Sequence, residues 1–478
     1  MVAPAPSIAW FRQDLRLADN PALTAASEAG PVIAVYILDD ETLGVRRIGG
    51  AARWWLDRSL RSLSADLAER GIALVLRRGA AAAALSELVA ESGAQSVFWN
   101  RCYEPGAIAR DTVIKQQLTA EGIRVVSFNA NLLAEPWEIK TGSGDPYRVF
   151  TPFWRTLSAQ LLVDGVRPIP HLTAAPSVRS DDLNDWKLLP TKPDWAGGLR
   201  DAWHPGETGA RRQLAAFVEE GLAIYADERN RPDRPGSSRL SPHLHWGEIS
   251  PTQIWGSVRA AADAEPKLER HAGSYLREIG WREFSYHLLY HFAHLPDRPL
   301  RPEFERFDWT DDPALRAAWS RGQTGYPLVD AGMRQLWQTG WMHNRVRMVV
   351  GSFLVKHLLQ DWRHGEAWFW DTLVDADLAN NAASWQWVAG SGADAAPYFR
   401  IMNPILQGQK FDPNGDYVRQ FVPEIAKLPN EYLHTPWDAP DAVLAIAGVE
   451  LGRTYPYPII DHAAGRNRAL AAFARLRE

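Results

Sequence analysis

Five short apolar runs occupy the first 130 residues, and helical patterns separate them. "SIAWF" (7–11), "VIAVYIL" (32–38), "IALVLRR" (72–78), "SVFWN" (96–100) and "RVVSF" (124–128) have strand length and lack the polar alternation of a half-exposed sheet. Stretches such as "RWWLDRSLRSLSADLAERG" (53–71) and "GAAAAALSELVA" (79–90) read as helices between them. Strands alternating with helices predict a doubly wound parallel sheet. "RQDLRLADN" follows the first strand where a dinucleotide-binding turn would carry G-x-G-x-x-G, so a conventional NAD site is not expected.

Beyond residue 130 the pattern changes. Residues 131–204 contain "TGSGDPYRVFTP" and "LLPTKPDWAGG" and read as a connector over the surface. From about residue 205 to 478 the 3.6-residue period dominates, broken by Pro and Gly, which predicts a large all-α domain. The expected division is 1–130, 131–204 and 205–478.

Composition removes several classes. One cysteine, Cys102, excludes an internal disulfide framework and suits a reducing cytosol. The N-terminus has no basic region followed by an apolar stretch, and no apolar run reaches membrane-spanning length. No secretory leader or membrane partner is expected. The net charge of −5 argues against general polyanion binding, but residues 334–363 carry five basic residues and one acidic residue. These residues suggest a local basic face, although a solvated helix surface would look the same. The chain also holds 22 tryptophans, consistent with an aromatic cofactor, stacked bases or an electron path as well as with packing.

Four stretches could carry chemistry. On a helix, Glu278, Trp281 and Arg282 share a face that could pair with and stack on a planar base; a Glu–Arg surface pair beside a core Trp reads equally well. Asn344, Arg347 and Met348 share another face, with Arg345 to one side. "PGSSRLSPHLHWGEISP" (235–251) sets hydroxyls before a helix start, which suits a phosphate or a plain N-cap. In "DADLANNAASWQW" (375–387), Asp377, Asn381 and Trp385 fall on one stripe, and Trp387 is rotated roughly 200° from Trp385. The two indoles should therefore face different surroundings, one inward and one toward a cavity.

Longer motifs then become legible: "WFRQDLRLADNPAL", "WREFSYHLL", "GYPLVDAGMRQL", "WMHNRVRM", "DADLANNAASWQWVAGSGADAAPYFRI", "NPILQGQKFD" and "YPIIDH", in this order. The chain resembles the photolyase/cryptochrome flavoproteins along essentially its whole length. "WKLLPTKPDW" and "GVELGRTYP" are most similar to the bacterial class III cyclobutane pyrimidine dimer (CPD) photolyases. The resemblance implies a U-shaped FAD in the helical domain, active as FADH⁻. Tyr225, Ser237, Ser238, Arg239, Leu240 and Ser241 match positions that grip its phosphates and ribityl chain. Asn344, Arg347, Asp375, Ala376, Asp377 and Asn381 match positions around the isoalloxazine, with Asn381 at flavin N5. Arg229, Glu278, Trp281, Arg282, Asn344, Arg345, Met348, Trp387 and Gln407 match the lesion pocket or its DNA rim, Glu278 matching a cofactor-binding position as well; the implied catalytic residues are Glu278, Asn381, Trp309, Trp362 and Trp385. Trp385, Trp362 and Trp309 match an electron-donating chain.

The implied partner is DNA containing pyrimidine dimers, bound by a cytoplasmic monomer. The implied antenna is 5,10-methenyltetrahydrofolate. An acidic position of some folate-binding relatives is Ala107 here, and Glu104 nearby is the substitute candidate. (6–4) photolyases carry a histidine pair where this chain has His343–Asn344, and a further histidine near Met348. Plant-type light sensors carry aspartate at the position of Asn381, and sensors often have tails beyond the last helix, where this sequence stops. Both comparisons favour CPD repair.

Overall fold

The computed structural model describes residues 4–161, 165–395 and 397–476. Its five strands are β1 (Ser7–Phe11), β2 (Val32–Leu38), β3 (Leu74–Arg78), β4 (Ser96–Asn100) and β5 (Arg124–Phe128). All pair in parallel in the order β3-β2-β1-β4-β5. Four helices, Pro21–Ala29, Gly50–Ala68, Ala81–Ser92 and Pro105–Ala120, make the crossovers. β1, β2 and β4 are buried throughout, which is why their sequences are unbroken apolar runs.

The 131–204 segment is more structured than a surface connector. It contains the helix Phe150–Gln160, whose Phe150 and Phe153 are buried in the helical core, and Trp186 and Leu199 pack under the sheet. The Pro and Gly content marks its turns, whereas a few large apolar side chains dock it.

After residue 205 the chain is helical, and the two halves share core. Trp246, Trp341 and Val374 belong to the same apolar cluster as one face of the sheet. The "RQDLR" turn after β1 ties the halves with buried polar bonds. Arg16, fully buried, donates to the carbonyls of Gly247 at 2.9 Å and Ala130 at 2.7 Å. The Leu17 amide donates to Glu207 Oε2 at 2.7 Å. No described helix is long and apolar enough to cross a membrane.

A cavity with a polar wall and an aromatic wall

Four helices and one turn enclose a cavity of about 580 Å³ in the helical half, within the range of cofactor sites. The 269–291 helix brings Glu278, Trp281 and Arg282; the 344–352 helix brings Asn344, Arg345, Arg347 and Met348; the 378–389 helix brings Asn381, Trp385 and Trp387. The 237–241 turn and the short helix Ser241–His245 supply Ser237, Ser238, Arg239, Leu240 and Ser241. Tyr225, Arg229, Asp375, Ala376 and Asp377 complete the set of expected residues in its lining.

Each helix starts where its sequence says it should. Asp377 is the N-cap of the 378–389 helix and accepts from the Asn380 amide at 2.7 Å, so it stands before that helix rather than on its stripe. His343 caps the 344–352 helix in the same way, accepting from the Arg345 amide at 3.2 Å.

On one wall, Arg347 Nη2 lies 2.8 Å from Asp375 Oδ2, and Ser241 donates to the same oxygen at 2.6 Å. Asn381 spends both hydrogens of its amide nitrogen on Glu366: 3.0 Å to the carbonyl and 2.8 Å to Oε1. Its Oδ1 is the group left for the cavity. Burial pushes the Asp377 carboxyl upward, but His245 and Arg282 nearby and the Tyr286 hydroxyl outweigh it and hold it down to about 2.

The opposite wall is aromatic. Trp281 stacks on Phe150 of the connector helix, with centroids 3.7 Å apart and planes 8° apart. Glu278 is paired with Arg229 at 2.6 Å. Arg282 reaches back to the Asn131 carbonyl at 2.7 Å and lies over Tyr286, so it anchors the connector besides lining the cavity. Arg345 donates to Asn230 at 2.7 Å and covers Phe411.

Three expectations need correcting. Trp385 and Trp387 both line the cavity, which is large enough to border two sides of their helix. The basic residues of 334–363 do not form one face. Gly340 and Leu359, both with positive φ, break the window into separate helices. Arg334 pairs with Glu424, buried Lys356 with the Arg400 carbonyl, and Arg363 with Asp361, leaving Arg345 and Arg347 at the cavity. Gln407 is absent from the lining; it lies on the 404–411 helix with its Oε1 buried and without a partner. Trp362 and Trp309 also lie outside the lining: Trp362 is fully buried and Trp309 packs on Phe307 at 4.3 Å. Trp385 meets Phe369 at 5.0 Å and Trp319 at 6.2 Å.

Sequence reasoning missed Tyr275, whose hydroxyl donates to Ser238 at 3.0 Å, and His245. It also missed Glu366; an acid among the aromatics of "HGEAWFW" was the available signal. Arg46, which holds Glu366, lies in a loop with no pattern to find it by.

Glu104 belongs to a second cavity of about 100 Å³ on the sheet side, bounded by Arg12, Tyr36, Arg110 and Trp370. Burial raises its carboxyl, and Gln13 lies 3.3 Å away. Arg101 and Tyr103 both bond Glu135 and are structural.

Residues 7–176 match the family model described as DNA photolyase, and residues 275–475 match the FAD binding domain of DNA photolyase. A deoxyribodipyrimidine photo-lyase of Agrobacterium fabrum is 53% identical over 99% of this chain and 98% of its own. The chain belongs to the DNA photolyase family. The solved structure of a bacterial class III photolyase from Agrobacterium tumefaciens superposes with a TM-score of 0.97 over 100% of this chain and 98% of that one, again at 53% identity. Cryptochrome-1 of Arabidopsis thaliana is 42% identical over 95% of this chain and 68% of that protein.

The photolyase cofactor suits the cavity by its chemistry. Arg239 Nε, His245 Nδ1, Arg345 Nε and Asp375 Oδ1 are buried, border the cavity and lack hydrogen-bond partners. Unpaired buried polar atoms are costly, and this mixture of two guanidinium donors, an imidazole nitrogen and a carboxylate acceptor matches phosphates together with a heterocycle edge. The flavin-binding family assignment and the residues present agree.

Proposed function

We propose that this protein repairs cyclobutane pyrimidine dimers in DNA with light, using FAD. The observation that carries the reading is the union, in one cavity, of the Arg347–Asp375 and Asn381 wall with the Trp281, Met348 and Trp387 wall.

Tyr225, Ser237, Ser238, Arg239, Leu240 and Ser241 would hold the phosphates and ribityl chain; Asn344, Arg347, Asp375, Ala376, Asp377 and Asn381 would surround the ring. Reduced FAD, when bound and illuminated, would supply one electron that opens the two carbon–carbon bonds of the dimer and then returns to the cofactor, so that the repair is redox-neutral. The residues do the rest. Trp281 and Trp387 offer stacking faces to an extruded dimer, as base-flipping enzymes do; photolyases are among the cases from which that rule is drawn. Glu278, paired with Arg229 in the cavity lining, would hydrogen-bond the extruded bases and is the proposed catalytic group. Arg345 and Arg229 would steer phosphates. Asp375 pairs with Arg347 and would so hold its guanidinium toward the ring. Trp385, Trp362 and Trp309 would pass electrons to oxidised FAD under light and so bring it to its reduced, active form.

His343 argues against (6–4) chemistry. Burial first, then the charges of Arg345 and Arg347, lowers its pKa to about 4, so it is neutral and busy capping a helix. A histidine held this way is a poor proton donor at neutral pH. The Cryptochrome-1 relationship supports a light-sensor alternative. We place the protein in the cytoplasm as a monomer. A folate antenna is the family expectation, but the cavity beside Glu104, about 100 Å³, is small for a pteridine-bearing chromophore. Its site would lie elsewhere.

The test is illumination of the reduced, FAD-loaded protein with an oligonucleotide carrying one CPD. Recovery of intact pyrimidines under light alone supports repair. FAD-loaded protein that leaves the dimer untouched would move the reading to a sensor.

A further inference from the structure

The loop before the 50–68 helix presses on the 362–372 helix. A Cβ at Gly49 would stand 2.2 Å from the Trp370 carbonyl oxygen, Trp370 Nε1 donates to the Arg47 carbonyl at 2.8 Å, and the Gly50 amide donates to Asp371 at 2.8 Å. The loop thereby delivers Arg46 to Glu366. The guanidinium makes a two-pronged contact, 2.6 Å to Oε1 and 2.8 Å to Oε2, and lies over the Trp370 ring at 4.2 Å. Glu366 Oε1 is also the acceptor for the Asn381 amide.

We infer that Arg46, contributed by the α/β half, is a positioning residue that sets which end of the Asn381 amide faces the flavin. This rests on the proposed placement of Asn381 at flavin N5.

Glu366 is 4% exposed. A carboxylate buried to that degree stays ionised only with a compensating charge, and its ion pairs among the described residues are with Arg46 alone. The other charges near it are engaged elsewhere: Arg363 with Asp361, Asp371 with the Gly50 amide, and Asp377 with Tyr286 and Asn380. Ionised, Glu366 only accepts, so Asn381 must turn its NH₂ to it and its oxygen to the cavity. Protonated, Glu366 gains a donor, and the amide can turn over to accept from it, giving up its 3.0 Å bond to the Glu366 carbonyl. The cavity would then meet N–H in place of oxygen. N5 of oxidised flavin accepts a hydrogen bond and N5–H of reduced flavin donates one. The oxygen-inward amide therefore favours reduced flavin, and the reversed amide favours oxidised flavin.

The experiment is a redox titration of bound FAD across pH in wild type, Arg46→Gln and Arg46→Lys, with infrared spectroscopy of the same proteins without flavin. In Arg46→Gln the expected results are a carboxylic-acid carbonyl band, absent from Arg46→Gln/Glu366→Leu, and a midpoint potential displaced to more negative values at low pH. The displacement should vanish as pH rises and Glu366 ionises. Arg46→Lys should behave as wild type. An Arg46→Gln protein with no such band overturns the inference even if it retains no flavin. So does a displaced potential that is the same at every pH, which would mean simple loosening. The band with an unmoved potential would instead overturn the placement of Asn381 at N5, and with it the role of Arg46 toward the flavin.

Discussion

Gly365 and Trp385 are fitted to each other. A Cβ at Gly365 would stand 2.1 Å from Cη2 of the Trp385 ring and 2.5–2.6 Å from Cζ3 and Cζ2. The indole occupies the space that the glycine leaves open in the middle of the 362–372 helix.

Gly365→Ala should therefore destabilise the protein although alanine is the better helix former. The propensity gain is about 1 kcal/mol, and overpacking of a rigid ring costs about 1–3 kcal/mol. Trp385→Phe removes the colliding atoms, so the double variant should recover stability. Chemical denaturation of the four proteins of this cycle measures the coupling; additive losses would mean that the ring moves aside freely. Trp385→Phe alone should slow photoreduction of oxidised flavin while sparing repair by chemically reduced enzyme, read by absorbance under blue light and by dimer recovery.

Asn381→Asp sets two carboxyl groups about 3 Å apart beside one arginine, since the present amide nitrogen is 2.8 Å from Glu366 Oε1. Both cannot stay charged so close together, and one takes a proton. Photoreduction should become pH dependent between about pH 6 and 9 in this variant and stay flat in wild type. Equal profiles would place Asn381 away from the reacting edge.

Trp387→Ala should weaken binding to dimer-containing DNA far more than to intact DNA, by about 1–3 kcal/mol, or roughly 5- to 150-fold. Arg345→Ala should weaken both and flatten the salt dependence by about one unit. Salt titrations on matched duplexes separate the two effects. Equal losses on both DNAs for Trp387→Ala would assign it to packing.

His287, His343 and His357 are buried and neutral. Burial, with like charges nearby, lowers His287 and His343 to about 4 and His357 to about 3. The unfolded chain takes up their protons near pH 6.5 and the folded chain does not until pH 4 or 3. The unfolded state thus binds more protons in that window, and stability falls as pH drops from about 6.5 toward 4. Thermal melts should show this fall, and His357→Gln should flatten it. A melting temperature that is constant from about pH 7 to 5 would contradict the assignment.

The strands and most cavity residues were legible because each carries a local signal: an unbroken apolar run, or polar and aromatic types at helical spacing. β1, β2, β4 and β5 start and end where the apolar runs do. Features made by tertiary contact were not legible. Arg46 reaches Glu366 across 320 positions, and nothing about "GVRRIGG" distinguishes Arg46 from Arg47, which bonds the Asp40 carbonyl on an exposed surface. The basic window misled for a related reason: charge count along the chain ignores the breaks at Gly340 and Leu359 that turn neighbouring cations to different sides.

The Phe150–Trp281 stack closes one face of that indole. A planar guest can approach Trp281 only from the opposite side, so this wall of the pocket works as a one-way slot. The backing plate of the slot is a residue 131 positions upstream, in a stretch whose composition suggests mere linkage. Swapping this segment between relatives would then carry selectivity with it, because the tilt of Trp281 follows the ring behind it.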